Sequence, residues 1–329
     1  MRVLVTHSQE DLSAYYGRAL PELRALAAVV TNPHARNFTP QELVDAAKGC
    51  DIVVSHRGTP FPQDIMARLS DVMAVCRCAV DISDIDVEAA SSHGILVAQA
   101  DKSFVASTAE LALGLLLDLS RKIAESTAEY WKGDEPPQRP GRQLRGQTAG
   151  ILGYGAIGQY LADLLAALGM NVLVHDPHVE VPKSMSASFD DVVARADVLF
   201  PLAQAVPATE NMVNGAVLAA MKPGGLLVNV SRGQLLDEAA VEEALDSGRL
   251  GGLAMDVGRG ADQRPSQYLA QRPGVVSTPH LGGLTPENAD AQAASSVEQV
   301  EAILAGEMPP RAVNVGSASR LRTYLASRQ

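Results

Sequence analysis

Aromatic residues are scarce. They make up 4% of the 329 residues, with a single tryptophan. The cores are therefore expected to be built from aliphatic side chains. Cysteines are few: Cys50, Cys76 and Cys78 form an odd set with no disulfide-scaffold spacing, which points to thiols in a reducing cytoplasm. The "CRC" at 76–78 lacks partner residues for a metal, and no metal is expected. Basic charge is short as well. Lysine and arginine total 27 against 38 acidic residues, a net charge of −11. This argues against general nucleic-acid binding, which needs a basic stripe, and against an anionic membrane surface. An acidic small molecule stays compatible, because a few arginines in a cleft can dominate the local field. Long apolar runs are missing too. The most apolar window, "ELALGLLLDL" (Glu110 to Leu119), is too short and interrupted to span a bilayer. The opening "MRVLVTH" reads as a β-strand and not as a leader.

What is present is an alternation of short apolar runs with helical patterns, the mark of an α/β fold with parallel sheets. "RVLV", "LAAVV", "DIVVS", "MAVC" and "GILVA" predict a five-stranded doubly wound unit in residues 1–100. One long helix is expected from Ser103 to about Trp131. Then "GDEPPQRPG" (Gly133 to Gly141) reads as an exposed loop. "AGILG", "NVLVHD", "DVLFPL", "GLLVNV", "GLAMDV" and "GVVST" predict six further strands, the size of a dinucleotide-binding domain. A last helix from roughly Pro286 to Leu304 and the short "AVNV" are too small to stand alone and are expected to return to the first unit. The two α/β halves read as alike only in class.

Three stretches carry chemistry. "GILGYGAIGQ" sets Gly153, Gly155 and Gly158 in a G-x-G-x-x-G pattern between a strand and a helix. The first glycine permits a tight turn. The second lets a pyrophosphate approach the backbone at the helix N-terminus, and the third lets helix and strand pack closely. Asp176, about 20 residues on at the next strand's end, can accept both ribose hydroxyls and would repel a 2′-phosphate, which favours NAD over NADP. His175 and His178 flank it with no third metal ligand in sight. Arg232, Asp256 and His280 then follow three successive strands on the side of the glycine loop. His280, in "VVSTPHLGG", is either a satisfied core histidine or a proton carrier. Reducing a ketone needs a hydride donor, a cation for carboxylate and carbonyl oxygen, and an acid for the developing alkoxide. Arginine's fixed fork suits the second role, and an imidazole, which titrates near ~6.5 in water, suits the third.

The order "GYGAIG", "HDP", "MKPGGLLVNVSRG", "AMDVG" and "TPHLGG" resembles the NAD-dependent D-isomer-specific 2-hydroxyacid dehydrogenases, most strongly from Thr148 to Gly283. The resemblance implies a Rossmann cofactor domain (101–283) inserted into a flavodoxin-like substrate domain (1–100 and 284–329). It implies Arg232 as the substrate-binding arginine and His280 as acid/base. Its implied cofactor contacts add Ala156, Ile157, Val230, Ser231, Asp256, Gly282 and Thr108 to the glycines and Asp176. "TAELALGLLLDLSR" resembles a helix that joins two subunits in that family, which implies a homodimer through Thr108 to Arg121. Two departures stand out. The family's glutamate, five positions after Asp256, is replaced by Ala261, and Asp262 one step on is the expected partner of His280, the alternative being an unassisted ring. The loop expected to hold the substrate carboxylate reads Cys78, Ala79, Val80, Asp81 in place of histidine, glycine, valine, glycine. Asp81 would repel part of an acidic substrate or turn away and cap a turn, and Arg57 is the expected compensating charge. The expected reaction is hydride transfer between NAD(H) and a small 2-hydroxy or 2-oxo acid. Phosphite- or phosphonate-type oxidation on the same scaffold and non-catalytic NAD(H) sensing are the alternatives.

Overall fold

The structure, a computed structural model, describes residues 1–260 and 263–328. The chain divides into two compact units: Met1–Ser103 with Pro286–Gln329, and Phe104–Thr285. Each is built on one sheet in which every strand pair is parallel.

The first unit holds β1 (Arg2–Val5), β2 (Ala28–Thr31), β3 (Ile52–Ser55), β4 (Ala74–Arg77) and β5 (Leu96–Ala98), in the order β2-β1-β3-β4-β5. Helices cover both faces, so the strands read as unbroken apolar runs. Val3, Val5, Ile52 and Val54 point to one face, against Leu23 and the helix Pro286–Leu304 through Val297, Val300 and Ile303. Leu4, Val53, Val75 and Val97 point to the other, against Leu43, Ile65 and Met66.

The second unit holds β6 (Thr148–Leu152), β7 (Asn171–His175), β8 (Val198–Pro201), β9 (Gly225–Asn229), β10 (Leu250–Met255) and β11 (Val275–Ser277), in the order β11-β10-β9-β8-β6-β7. Beyond β7 a single parallel bridge joins Val174 to Ser186. It occupies the place of the outer strand in a Rossmann sheet of order 3-2-1-4-5-6. All eleven predicted strands are present, and the doubly wound parallel architecture is as expected. The two sheets share more than class, however. Counted within each unit, the first runs 2-1-3-4-5 and the second 2-1-3-4-5-6, a likeness of topology that no sequence periodicity reports.

The expected single helix over 103–131 is two. Phe104–Arg121 ends at Lys122, which takes a left-handed conformation (φ 56°), and Ile123–Trp131 follows. The Asp118 carboxylate accepts a hydrogen bond from the Ala124 N–H (2.7 Å) and so closes the new N-terminus. No glycine or proline marks the break, which is why periodicity ran through it.

At the end of β1, His7 is fully buried and stacked on Tyr16 (centroids 3.8 Å apart). Burial, with the nearby His56 and Arg77, pushes its pKa well below the usual histidine value. In the unfolded chain the ring takes up a proton below pH ~6.5. In the fold it stays neutral, so the unfolded state binds the extra proton and stability falls as pH drops through that window; above it the ring contributes nothing. Urea unfolding of the wild type at pH 7.5 and 5.5 should show a loss on acidification of up to ~1.4 kcal/mol per pH unit below ~6.5 from this ring. His7→Phe should remove that share. An equal pH dependence in both proteins would contradict the assignment.

Candidate functional site

The three glycines after β6 do three different things. Gly153 has φ +111°, and a Cβ there would lie 2.7 Å from the Ala203 backbone nitrogen. Gly158 opens the helix Ala156–Ala167 against the turn, and a Cβ there would lie 2.4 Å from the Gly153 carbonyl oxygen. Both are steric requirements of the turn itself. Gly155 is the reverse case: its φ is an ordinary −69°, and a Cβ would meet nothing within 4 Å. No side chain caps this helix N-terminus. Its amide groups and the helix dipole therefore face open space, with room for an anion to come up to the backbone. Ala156 is exposed, and Ile157 packs against the core.

Asp176 follows β7. Its carboxylate accepts hydrogen bonds from the Tyr154 N–H (2.6 Å), the His178 N–H (2.8 Å) and the Val179 N–H (3.0 Å). Burial alone would raise its pKa; the three backbone donors outweigh it and hold the group below the usual carboxylate range. The acid is thus kept charged and pinned beside the glycine turn.

Arg232, Asp256 and His280 follow the adjacent strands β9, β10 and β11. Two buried polar side chains arrange them. Asn229, at the end of β9, accepts from the Ser231 N–H (3.0 Å) and donates to the Arg232 carbonyl (2.8 Å). This turn fixes the backbone from which the half-buried Arg232 projects, and the guanidinium donates to the Ser231 carbonyl (2.8 Å). Ser231 Oγ donates to the Ala203 carbonyl (3.0 Å). Val230 belongs to the hydrophobic core, so only its backbone faces the strand end.

Asp256 is 1% exposed. Its Oδ1 accepts from Thr278 Oγ (2.6 Å) and the Leu281 N–H (2.6 Å), and its Oδ2 from the Gly282 N–H (2.8 Å). These donors bracket His280, whose φ is +64°. A left-handed residue other than glycine costs roughly 1 kcal/mol and persists where its surroundings over-determine it. Here one buried carboxylate does so. Gly282 fits because a Cβ would lie 3.1 Å from Asp256 Oδ2 and 3.2 Å from Thr108, itself buried in the helix Phe104–Arg121. The loops after β9 and β10 also meet backbone to backbone: a Cβ on Gly233 would lie 2.2 Å from the Gly258 carbonyl carbon. Arg259 braces them, pairing with Glu210 (2.7 Å) and donating to the Leu236 carbonyl (2.9 Å). Ala261 and Asp262 lie outside the described residues.

Sequence reasoning missed Asn229, Thr278 and Arg259. An asparagine closing a strand two residues before a serine is an Asx-turn signal that would have found the first. The other two are visible only in the fold.

In the five-stranded unit, Cys78 follows β4 with its thiol buried beside Tyr16 and Ser296, and burial pushes it up to about 12. It is an unreactive thiol. Ala79 is buried, Val80 half-buried, and Asp81 and Arg57 are exposed. Asp81 accepts from the Ser83 N–H (2.9 Å) and so caps a turn. Among the described residues no cluster of three or more histidine, cysteine or acidic side chains is placed to hold a metal, and no helix is long and apolar enough to cross a membrane.

Residues 113–282 match the family model of the D-isomer specific 2-hydroxyacid dehydrogenase, NAD binding domain. A D-3-phosphoglycerate dehydrogenase of Methanocaldococcus jannaschii is 33% identical over 288 residues, which cover 85% of this chain and 55% of that one. The chain thus spans about half the length of the curated relatives it matches. The TT0316 protein of Thermus thermophilus superposes with a TM-score of 0.85 at 31% identity, covering 95% of this chain and 100% of that one. D-lactate dehydrogenase of Lactobacillus jensenii, solved with NAD+, gives 0.80 at 25% identity, covering 95% and 99%.

The glycine geometry predicts a split. Gly155→Ala should leave thermal stability within about 1 °C, since its Cβ meets open space, yet weaken NADH binding about tenfold or more by filling the approach to the amides. Gly153→Ala should lose about 3 kcal/mol from the clash and the positive φ. Asp256→Ala should cost about 3 kcal/mol, because three buried donors lose their acceptor at once. Calorimetric melting and NADH fluorescence titration check all three. A normal melt for Gly153→Ala or Asp256→Ala would contradict the geometry.

Proposed function

Because the chain belongs to the D-isomer specific 2-hydroxyacid dehydrogenase family and carries its NAD-binding domain, we propose that it transfers a hydride between NAD(H) and a small 2-hydroxy or 2-oxo acid. What supports this most is the buried Asp256 carboxylate at the end of β10, which holds the His280 turn after β11 while the Arg232 turn follows β9 on the other side. A protein that only binds nucleotide has no need of a strained histidine held in this way.

Bound NAD(H) supplies the hydride donor or acceptor. Arg232 binds the substrate carboxylate and draws electron density onto the carbonyl oxygen. His280 gives a proton to that oxygen as the carbonyl carbon is reduced, and takes it back in the reverse direction. The Gly153–Gly158 turn and the helix N-terminus at Ala156 hold the pyrophosphate, and Asp176 takes the adenosine ribose. Thr108, Val230, Ser231 and Gly282 complete the cofactor's surroundings. Arg57 and the turn Cys78–Asp81 serve the substrate, the turn through its backbone N–H groups. Asp262 pairing with His280 remains the reading of the sequence.

The partner we propose is a second copy of the chain. Apolar side chains are exposed in a row from Leu117, near the end of the helix Phe104–Arg121, through Ile123, Tyr130 (65%) and Trp131 (84%). Large apolar side chains left exposed along these two helices are suited to burial against their like.

Two measurements test these readings. Absorbance loss of NADH with glyoxylate, pyruvate, hydroxypyruvate and bulkier 2-oxo acids should reveal turnover. His280→Ala should lower kcat by at least ~100-fold while NADH affinity stays within about twofold. Tight NADH binding with no turnover on any acid would favour sensing. Sedimentation should give a pair that Trp131→Glu dissociates, and a wild-type monomer would end the dimer reading.

A further inference from the structure

The loops that follow the neighbouring strands β8, β9 and β10 meet at one guanidinium. Arg259 lies in the loop after β10. Its Nη1 donates to Glu210 Oε1 (2.7 Å), in the loop after β8. Its Nη2 donates to the Asn211 side-chain oxygen in that same loop, and to the Gln234 (3.1 Å) and Leu236 (2.9 Å) carbonyls in the loop after β9. Gln234 and Leu236 come shortly after Arg232 in the chain. An exposed ion pair such as Arg259–Glu210 contributes little by itself. The bonds to the two carbonyls matter more, because of the backbone they hold.

The Arg232 turn is tied in front and behind by different groups. In front, Ser231 is held by Asn229 and by the Ala203 carbonyl. Behind, the Asn211 N–H donates to the Gln234 carbonyl (2.8 Å) and the Val213 N–H to the Leu235 carbonyl (2.9 Å), and Arg259 closes over Gln234 and Leu236. Asn211 is left-handed (φ 53°), a conformation that its side chain's bond to Arg259 helps to keep. Gly233, directly after Arg232, packs on Gly258, directly before Arg259: a Cβ on Gly233 would lie 2.5 Å from the Gly258 carbonyl oxygen. Two glycines have no side chains with which to keep that contact. The guanidinium next to it supplies the hold.

We propose that Arg259 is a positioning residue for Arg232, so that its loss weakens capture of the substrate carboxylate and leaves the dinucleotide bound. The inference rests on the dehydrogenase reading and extends it to a residue that acts through another. The split follows from the ties. Arg259 bonds neither Ser231 nor the Gly153–Gly158 turn, and both keep their own partners without it. The role needs the fork of an arginine, which reaches Glu210 with one nitrogen and the carbonyls with the other. A lysine ammonium is a single point of charge on a flexible stem and does not span them.

The test is steady-state kinetics with the 2-oxo acid that the wild type reduces fastest, beside NADH affinity by fluorescence titration. Arg259→Ala should raise KM about tenfold, with kcat within about threefold and NADH affinity within about twofold of wild type. Arg259→Lys keeps the charge beside Glu210 and should show the same raised KM, which secures the reading if the alanine variant folds poorly. Glu210→Gln should leave KM within about twofold, because Asn211 and the two carbonyls still hold the fork. An unchanged KM in either Arg259 variant overturns the proposal. So does a loss carried by kcat alone, or an NADH affinity that falls in step with the rise in KM, which would mark Arg259 as a general brace. Those outcomes leave His280-dependent turnover standing. If the wild type reduces no 2-oxo acid, the dehydrogenase reading falls and the proposal falls with it.

Discussion

One buried carboxylate organises the reactive edge of the six-stranded sheet. Asp256 sits at the end of β10 and collects donors from Thr278, Leu281 and Gly282 around a left-handed His280. Charge-assisted hydrogen bonds contribute roughly 1.5–3 kcal/mol each, against a backbone cost of about 1 kcal/mol, so the turn is held with margin. The Asp256 N–H in turn donates to the Asn229 carbonyl (3.0 Å), and Asn229 shapes the Arg232 turn. Two side chains with 0–1% exposure, on neighbouring strands, thus set both the arginine and the histidine. Neither has to touch substrate to shape the proposed site.

At the other end of the same sheet edge the requirement is the opposite. The helix N-terminus at Gly155 is left without a capping side chain, and the space beside it is open. In a chain of net charge −11 this exposed row of amides offers local positive potential that overall charge does not report. Asp176 sits beside it with its charge held by backbone donors. In the proposed function an anion would be met by backbone amides, the ribose hydroxyls by a carboxylate that backbone amides hold, and the reacting end by side chains.

Much of this was legible in the sequence for a physical reason. Strands buried on both faces must be apolar throughout, so "DIVVS" or "GLLVNV" stand out against amphipathic helices, and glycines forced by sterics mark the nucleotide turn. Arg232 and His280 were visible because they follow such strands. The break at Lys122 was not, since a lysine in a left-handed conformation leaves no compositional trace and its capping Asp118 reads as an ordinary helical residue. The work done by Asp256 was equally hidden. Its donors are two backbone amides and a threonine more than twenty residues away, and only tertiary structure brings them together. The likeness of the two sheets escaped for a related reason: strand order is decided by crossovers, not by residue pattern.

The most direct measurement is amide hydrogen exchange, read by NMR, at Leu281 and Gly282. Leu281 is 37% exposed, yet its N–H points into a buried carboxylate. The account predicts that both amides exchange orders of magnitude more slowly than an open surface loop, and that Asp256→Ala releases both together. Fast exchange at both positions in the wild type would mean that Asp256 does not hold the histidine turn.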